Sequence, residues 1–104
     1  RAGLAVVRPQ KTCKSVDDTC RKIIEKHHYG PHFIHSTGHG IGLDVHEGPN
    51  ITSKSTTKLK KDMAITVEPG IYIPNKLGVR IEDSVIVRDR PIIMHKFTKD
   101  LVVI

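Results

Sequence analysis

The sequence has no tryptophan, and aromatic residues make up only 4% of its 104 residues. A buried core must therefore be built mainly from aliphatic side chains. The sequence also has no uninterrupted run of about 18 apolar residues, the length that a membrane-spanning helix requires. We expect no membrane partner. Because the first residues do not have the pattern of a secretory signal peptide, we expect a cytoplasmic location.

Cysteine is scarce as well, since the chain contains only Cys13 and Cys20. They are seven positions apart on a predicted helix and its lead-in. That spacing corresponds to about 10 Å along a helix, which is too far for an unstrained disulfide. We therefore predict two reduced, partly buried thiols, as is usual for a cytosolic protein.

Positive charge exceeds negative charge, with a formal net charge of +6 and a pI of about 9.6. Such a balance can indicate a nucleic-acid or acidic-membrane partner. The lysines are scattered, however, apart from one cluster at 58–61, and no aromatic residues interleave with that cluster to stack on bases. Neither a helix-turn-helix pattern nor a cysteine-rich zinc spacing is present. We predict a solvated basic surface and no nucleic-acid partner.

The hydrophobic pattern predicts one main helix followed by several strands. We place the helix start at Ser15 as a hydroxyl N-cap, with apolar residues at 16, 20, 23 and 24 and a stop at Gly30. A short β-like run is predicted at 32–35, and strands at 63–68, 71–73 and 79–87, with short ones at 91–94 and 101–104. This order predicts an α+β fold with a mainly antiparallel sheet.

Imidazole and carboxylate side chains stand at the breaks in this pattern. His39 and His46 flank a glycine-rich stretch, and Glu68 ends a predicted strand just before Pro69. In the predicted strand 79–87, Glu82 shares a face with Arg80, while Val79, Ile81 and Val85 point towards the core. Such nitrogen and oxygen ligands favour Mn²⁺, Co²⁺ or Zn²⁺. On spacing alone, exposed glutamates in strands and histidines in loops are more often ordinary surface side chains.

Three segments resemble the motifs of one enzyme family. Residues 33–47 read FIHSTGHGIGLDVHE, residues 66–72 read TVEPGIY, and residues 78–83 read GVRIED. Together, and in this order, they closely resemble the histidine motif and the two glutamate motifs of pita-bread metallopeptidases. That group includes Xaa-Pro aminopeptidases, prolidases and methionine aminopeptidases. The resemblance implies the C-terminal half of a pita-bread fold, with one main helix and a curved, mainly antiparallel sheet.

The resemblance also implies a metal centre with two divalent ions, Mn, Co or Zn, in the complete site. His39, Glu68 and Glu82 would be metal ligands, and Glu82 would bridge both ions. Glu68 would also act as the general base that takes a proton from a bridging water. Two such ions lower the pKa of that water and stabilise the developing oxyanion.

Further roles are implied for side chains around the metal centre. His46 and His35 would hydrogen-bond the substrate carbonyl or the tetrahedral intermediate, and Arg80 would pair with a carboxylate beside the metal. The remaining histidines match no motif and are predicted at a helix end or on the surface: His27, His28, His32 and His95.

The position of Arg80 before Ile81, Glu82 and Asp83 is similar to the Xaa-Pro aminopeptidase and prolidase pattern. The implied substrate is a peptide with proline at the second position, and the intact enzyme is expected to be a homodimer. Two alternatives remain open: a methionine aminopeptidase-like enzyme, and a non-catalytic pita-bread module that binds protein partners.

The chain departs from the family pattern in one large respect. The family's two metal-binding aspartates lie upstream of the histidine motif, and nothing here matches that segment. Asp17 and Asp18 are adjacent at a helix start, so they cannot replace two aspartates spaced along a hairpin. We expect residues 1–104 to be the C-terminal portion of the catalytic domain, a fragment inactive without its N-terminal half.

Overall fold

The fold consists of two α-helices, one 3-10 turn and seven short strands, in a computed structural model that describes residues 1–104. The helical elements are α1 Ala2–Val6, α2 Cys13–Lys26 and the 3-10 turn Gly30–His32. The strands are β1 Gly38–Gly40, β2 Glu47–Ile51, β3 Ala64–Val67, β4 Gly70–Ile73, β5 Leu77–Arg80, β6 Asp83–Ile86 and β7 Ile92–Ile93. Every strand pair is antiparallel. The predicted α+β class, with one main helix and an antiparallel sheet, is confirmed.

Helix α2 begins earlier than the sequence indicated. Its N-cap is Thr12, whose hydroxyl accepts a hydrogen bond from the backbone N–H of Ser15 at 3.1 Å. Ser15, predicted as the cap, lies inside the first turn and donates its own hydroxyl back to the Thr12 carbonyl. Two hydroxyl residues in succession both fit a cap pattern, and the prediction chose the wrong one. The helix ends at Lys26, and Gly30, the predicted stop, begins the 3-10 turn.

One buried cluster lies between α2 and the five-stranded sheet, whose strand order is β2-β1-β3-β6-β7. The cluster contains twelve residues, and Phe33 is its only aromatic member, so the expected aliphatic core is confirmed. Both cysteines belong to it as free, buried thiols, as predicted. Burial removes their solvation and raises the pKa of both Cys13 and Cys20.

Strands β3 to β6 form one long hairpin that is interrupted at the same level on both sides. Next to the main sheet, Val67 pairs with Asp83, and beyond the interruption Gly70 pairs with Arg80. The outer pair, β4 and β5, is a separate two-stranded sheet. Only residues 68–69 and 81–82 lie in the interruption. The chain passes from the main sheet to the outer sheet at 68–69 and returns to the main sheet at 81–82.

The prediction of one strand at 79–87 is wrong, because the interruption divides this segment. The segment is two strands, β5 and β6, and the apolar alternation does not continue through the break. Val85 is buried as predicted, but Val79 and Ile81 are 54% and 44% exposed. They line an open cleft of about 490 Å³ together with Leu4 and Ile71. β5 belongs to the outer sheet, and the open cleft leaves these two side chains accessible to solvent.

Two smaller predictions also differ from the structure. Residues 32–35 are not a strand, because the 3-10 turn reaches His32 and irregular backbone follows. Residues 101–104 form no strand. The glycine-rich stretch includes the short strand β1, where a Cβ on Gly38 would overlap the Thr66 carbonyl oxygen. No helix has both the length and the hydropathy that crossing a bilayer requires.

Candidate metal centre

The interruption of the long hairpin brings together the two glutamates identified in the sequence. Glu68 directly follows β3 and Glu82 directly precedes β6, so they stand on opposite sides of the break. Arg80 lies between them, with Nε 3.7 Å from Glu68 Oε2 and an Nη atom 3.6 Å from Glu82 Oε2. Two carboxylates facing one guanidinium leave the group with a net negative charge, which attracts a cation.

The two carboxylates differ in their surroundings. The side chain of Glu68 is 13% exposed, whereas that of Glu82 is 41% exposed and Arg80 is 51% exposed. Ion pairs between such exposed groups hold a side chain only weakly. Burial restricts the side chain of Glu68, whereas the more exposed side chain of Glu82 is free to turn towards a ligand.

His39 lies on β1, the strand next to β3, and points at Glu68. Its Nε2 atom is 3.0 Å from Glu68 Oε1, and its Nδ1 atom is 2.8 Å from the carbonyl oxygen of Gly40. A carbonyl oxygen can only accept, so Nδ1 carries a proton. Nε2 then faces the carboxylate with either a second proton or a lone pair that a shared cation would take.

Thr66 connects these two side chains, and sequence reasoning missed it. Its hydroxyl accepts a hydrogen bond from the backbone N–H of His39 at 3.0 Å and donates one to Glu68 Oε1 at 2.8 Å. The residue is 1% exposed. The signal available in the sequence was a hydroxyl residue two positions before a glutamate within an otherwise apolar strand.

His46 contacts His39, whereas His35 contacts other side chains. The ring of His46 is stacked at a tilt against His39, with centroids 4.4 Å apart, and the residue is exposed. His35 has its Nε2 atom 3.2 Å from the Tyr72 hydroxyl and packs edge-on against Phe33. Tyr72, part of the TVEPGIY segment, was not singled out as a functional residue. No hydrogen bond, ion pair or ring contact joins His35 to His39 or Glu68.

The donor set suits a divalent metal, although the side chains do not converge into a complete site. A cation with ligands at about 2.0–2.2 Å holds neighbouring ligand atoms roughly 3 Å apart, which is the spacing of His39 Nε2 and Glu68 Oε1. The backbone hydrogen bond at the other ring nitrogen is typical of metal-binding histidine. No three or more His, Cys, Asp or Glu side chains stand together closely enough to hold an ion. His39, Glu68 and Glu82 as a ligand set stay a prediction.

The remaining histidines lie away from this centre. His27 and His28 are exposed after the end of α2, and His32 is partly buried in the 3-10 turn. His95 is less surface-like than predicted, because it lies 3.8 Å from the buried carboxylate of Asp83, beside Lys99 at 2.9 Å.

Comparison with known proteins gives one consistent family. The sequence model described as Metallopeptidase family M24 matches residues 1–89. An Xaa-Pro dipeptidase of Pyrococcus furiosus is 47% identical over 89 residues, covering 86% of this chain and 26% of the relative. A putative Xaa-Pro aminopeptidase of Mycoplasma pneumoniae is 49% identical over 88 residues, covering 85% of the chain and 25% of the relative.

Solved structures agree in fold. An Xaa-Pro dipeptidase from Bacillus anthracis superposes with a TM-score of 0.96 at 43% identity, covering 99% of this chain and 29% of that one. The N-terminal domain of the FACT complex subunit SPT16 from chickpea superposes with a TM-score of 0.77 at 20% identity, covering 86% and 24%, a likeness of fold alone. The chain spans about a quarter of the length of the curated relatives it matches.

Proposed function

Because this chain belongs to metallopeptidase family M24, we propose that it supplies the metal-binding C-terminal portion of a domain that hydrolyses the peptide bond before a proline at the second position. The observation that carries the proposal is the contact group of His39, Glu68, Arg80 and Glu82 at the hairpin interruption. The relatives named as Xaa-Pro dipeptidase and Xaa-Pro aminopeptidase support the choice of substrate.

His39, Glu68 and Glu82 would hold the metal, with Glu82 shared between two ions of Mn, Co or Zn. When bound, these ions supply an activated water molecule and polarise the scissile carbonyl. Two further carboxylates would complete the ligand set, and the chain would receive them from an N-terminal portion of the domain. Residues 1–104 alone are then expected to be inactive.

Glu68 is proposed as the residue that takes a proton from the attacking water and passes it to the leaving amine. Its Oε1 atom is held by Thr66 and His39, so its Oε2 atom, which faces Arg80 at 3.7 Å, is the atom left for this transfer. The side chain of Glu68 is only 13% exposed, so bulk water has little access to it.

The exposed ring of His46 and the partly buried ring of His35 are proposed to donate hydrogen bonds to the substrate carbonyl oxygen. Donors placed where negative charge develops lower the barrier of acyl transfer. Arg80 is proposed to orient the two carboxylates rather than to touch the substrate. In the cell, we expect a cytoplasmic homodimer.

Two other functions make different predictions. A methionine aminopeptidase-like enzyme would cleave peptides with an N-terminal methionine and a small second residue. A non-catalytic binding module is favoured only by the likeness in fold to the SPT16 domain. Against it stands the filling of all three ligand positions expected in this segment, at 39, 68 and 82.

The decisive experiment measures metal content and peptide hydrolysis for the chain alone and for the chain combined with the N-terminal portion of the domain. We expect turnover of an Xaa-Pro peptide only in the combined form, with Mn²⁺ or Co²⁺ supplied. In that form, Glu82→Ala should abolish hydrolysis and at least one metal equivalent, whereas Glu25→Ala, on the exposed side of α2, should change neither.

Three results would count against the proposal. Retained activity and full metal content in Glu82→Ala would refute the ligand assignment. Two firmly bound ions and turnover by residues 1–104 alone would show that no further carboxylates are needed. No metal and no turnover in the combined form would favour the binding module.

A further inference from the structure

A buried ion pair lies on the core-facing side of α2. Asp17 has a fully buried side chain, and Arg21, one turn later, is 25% exposed. Arg21 donates from Nε to Asp17 Oδ2 at 2.9 Å and from an Nη atom to Oδ1 at 3.2 Å. The hydrogen bond to Asp17 is the main cause that raises the pKa of Arg21. Removing such charges from water is costly, so an apolar pair of similar size would pack here at lower cost.

The pair holds a stretch of irregular backbone at three points. Arg21 donates to the carbonyl oxygens of Phe33 and His35, each at 3.0 Å. Asp17 Oδ1 accepts from the backbone N–H of Thr37 at 3.2 Å and from its hydroxyl at 2.9 Å. The backbone N–H of Thr37 also donates to the carbonyl oxygen of Ile51 on β2 at 2.9 Å. Arg21 and Asp17 supply the contacts from the helix side, and together these bonds fix the path of the chain between His35 and His39.

Thr37 connects the ion pair of α2 to the hairpin interruption through hydrogen bonds. The residue is fully buried, and its carbonyl oxygen accepts a hydrogen bond from the backbone N–H of Glu68 at 2.6 Å. The path from α2 to the candidate general base therefore consists of Asp17, Thr37 and Glu68, with no gap. An apolar pair at 17 and 21 could fill the space but could not bind these backbone groups.

We propose that Asp17 and Arg21 are positioning residues, which set His35 and Glu68 for the reaction through the backbone of residues 33–37. The inference rests on the proposed function, because the positioned groups matter only if they bind metal and act on a substrate. Helix α2 lies outside all three sequence motifs, and through these backbone contacts it would affect both metal affinity and turnover. A displacement of about 1 Å in reacting groups can cost roughly 100-fold in rate.

The test uses the combined domain with four variants. Arg21→Met removes every guanidinium donor and keeps a side chain of similar length. Thr37→Val removes one hydroxyl and keeps a side chain of similar shape. Thr37→Ser is the conservative counterpart. Val16→Ala, in the same turn of α2, removes core packing without touching the network. Each variant is assayed at a temperature where unfolding curves show it to be fully folded.

We expect Arg21→Met and Thr37→Val to lower kcat and Mn²⁺ affinity by about 10-fold to 100-fold, as is usual for partners that orient metal ligands, with a smaller change in KM. Thr37→Ser should restore most of the loss. Val16→Ala should leave kcat and Mn²⁺ affinity within about twofold, although it lowers the unfolding temperature.

Unchanged kcat and Mn²⁺ affinity in both Arg21→Met and Thr37→Val would overturn the proposal, and so would an equal loss in Val16→Ala. If the combined domain neither binds metal nor hydrolyses peptide, the proposed function fails on its own. Amide hydrogen exchange at Glu68 then still decides the positioning: faster exchange in Thr37→Val but not in Val16→Ala supports it, and no difference overturns it.

Discussion

Replacing Thr66 by valine tests the link between His39 and Glu68, because valine keeps the shape and removes the hydroxyl. The hydroxyl donates to the Glu68 carboxylate at 2.8 Å and accepts from the His39 N–H at 3.0 Å. A hydrogen bond to a charged group contributes about 1.5–3 kcal/mol, and a stranded buried N–H costs about 1–3 kcal/mol. Since both losses arise at one atom, we expect a total of about 3 kcal/mol.

That loss is a large share of a typical stability of about 5–15 kcal/mol. For a chain of this size it lowers the melting temperature by about 12–24 °C. Urea unfolding followed by circular dichroism should show a midpoint about 1–3 M lower with an unchanged slope. Because Glu68 Oε1 also loses its support, the affinity for Mn²⁺ should fall in the same variant.

Thr66→Ser is the matched control, since it keeps the hydroxyl and loses only one methyl group, which contributes about 1 kcal/mol. The reasoning is refuted if the valine variant is destabilised no more than the serine variant. It is also refuted if the valine variant unfolds at lower urea but binds Mn²⁺ as tightly as the original chain.

Four further predictions follow from contacts and burial described above. Gly38→Ala should prevent stable pairing of β1 with β3, with a loss of more than about 3 kcal/mol in urea unfolding, because the added Cβ would overlap a backbone oxygen. Lys99→Met should cost about 3 kcal/mol, since it leaves the buried carboxylate of Asp83 without its nearest cation, and Asp83→Asn in the same chain should recover part of that loss. Both thiols should resist iodoacetamide at neutral pH in the folded chain, because burial raises their pKa. Above the usual thiol pKa of 9.0 the unfolded chain ionises first, so stability measured by urea unfolding should fall as pH rises through that range.

The parts of the fold that sequence reasoning predicted well are those with a local signal. The stop after α2 is marked by Gly30, and the strand break is marked by Pro69, which has no backbone N–H to donate. The α+β class followed from the order of helix and strands, and the family followed from three ordered motifs. The prediction failed where two readings had equal local support, as with the hydroxyls of Thr12 and Ser15, or where a pattern ran through a break, as at 79–87.

The candidate site shows the same division. His39, Glu68, Glu82 and Arg80 were named from the motifs, and the structure brings them into one contact group. Asp17 and Arg21 were not named as supporting side chains, because their partners at 33–37 are distant in sequence. Asp17 was read as part of a helix start, yet its hydrogen bonds reach Thr37, twenty positions away. No local pattern distinguishes such a buried aspartate from a solvated one.

The shared interruption of the long hairpin also bears on the order in which the molecule folds. Glu68 and Glu82 are 14 positions apart in sequence and approach each other through a single turn at 74–76. Hairpin closure takes microseconds, whereas joining distant segments is slower. We expect the two carboxylates to meet before β1 delivers His39. Pulsed hydrogen exchange during refolding should then protect the amides of β3 and β6 first, and simultaneous protection of β1 would contradict this order. A refolding chain would thus hold two neighbouring carboxylates that attract a cation before β1 adds His39.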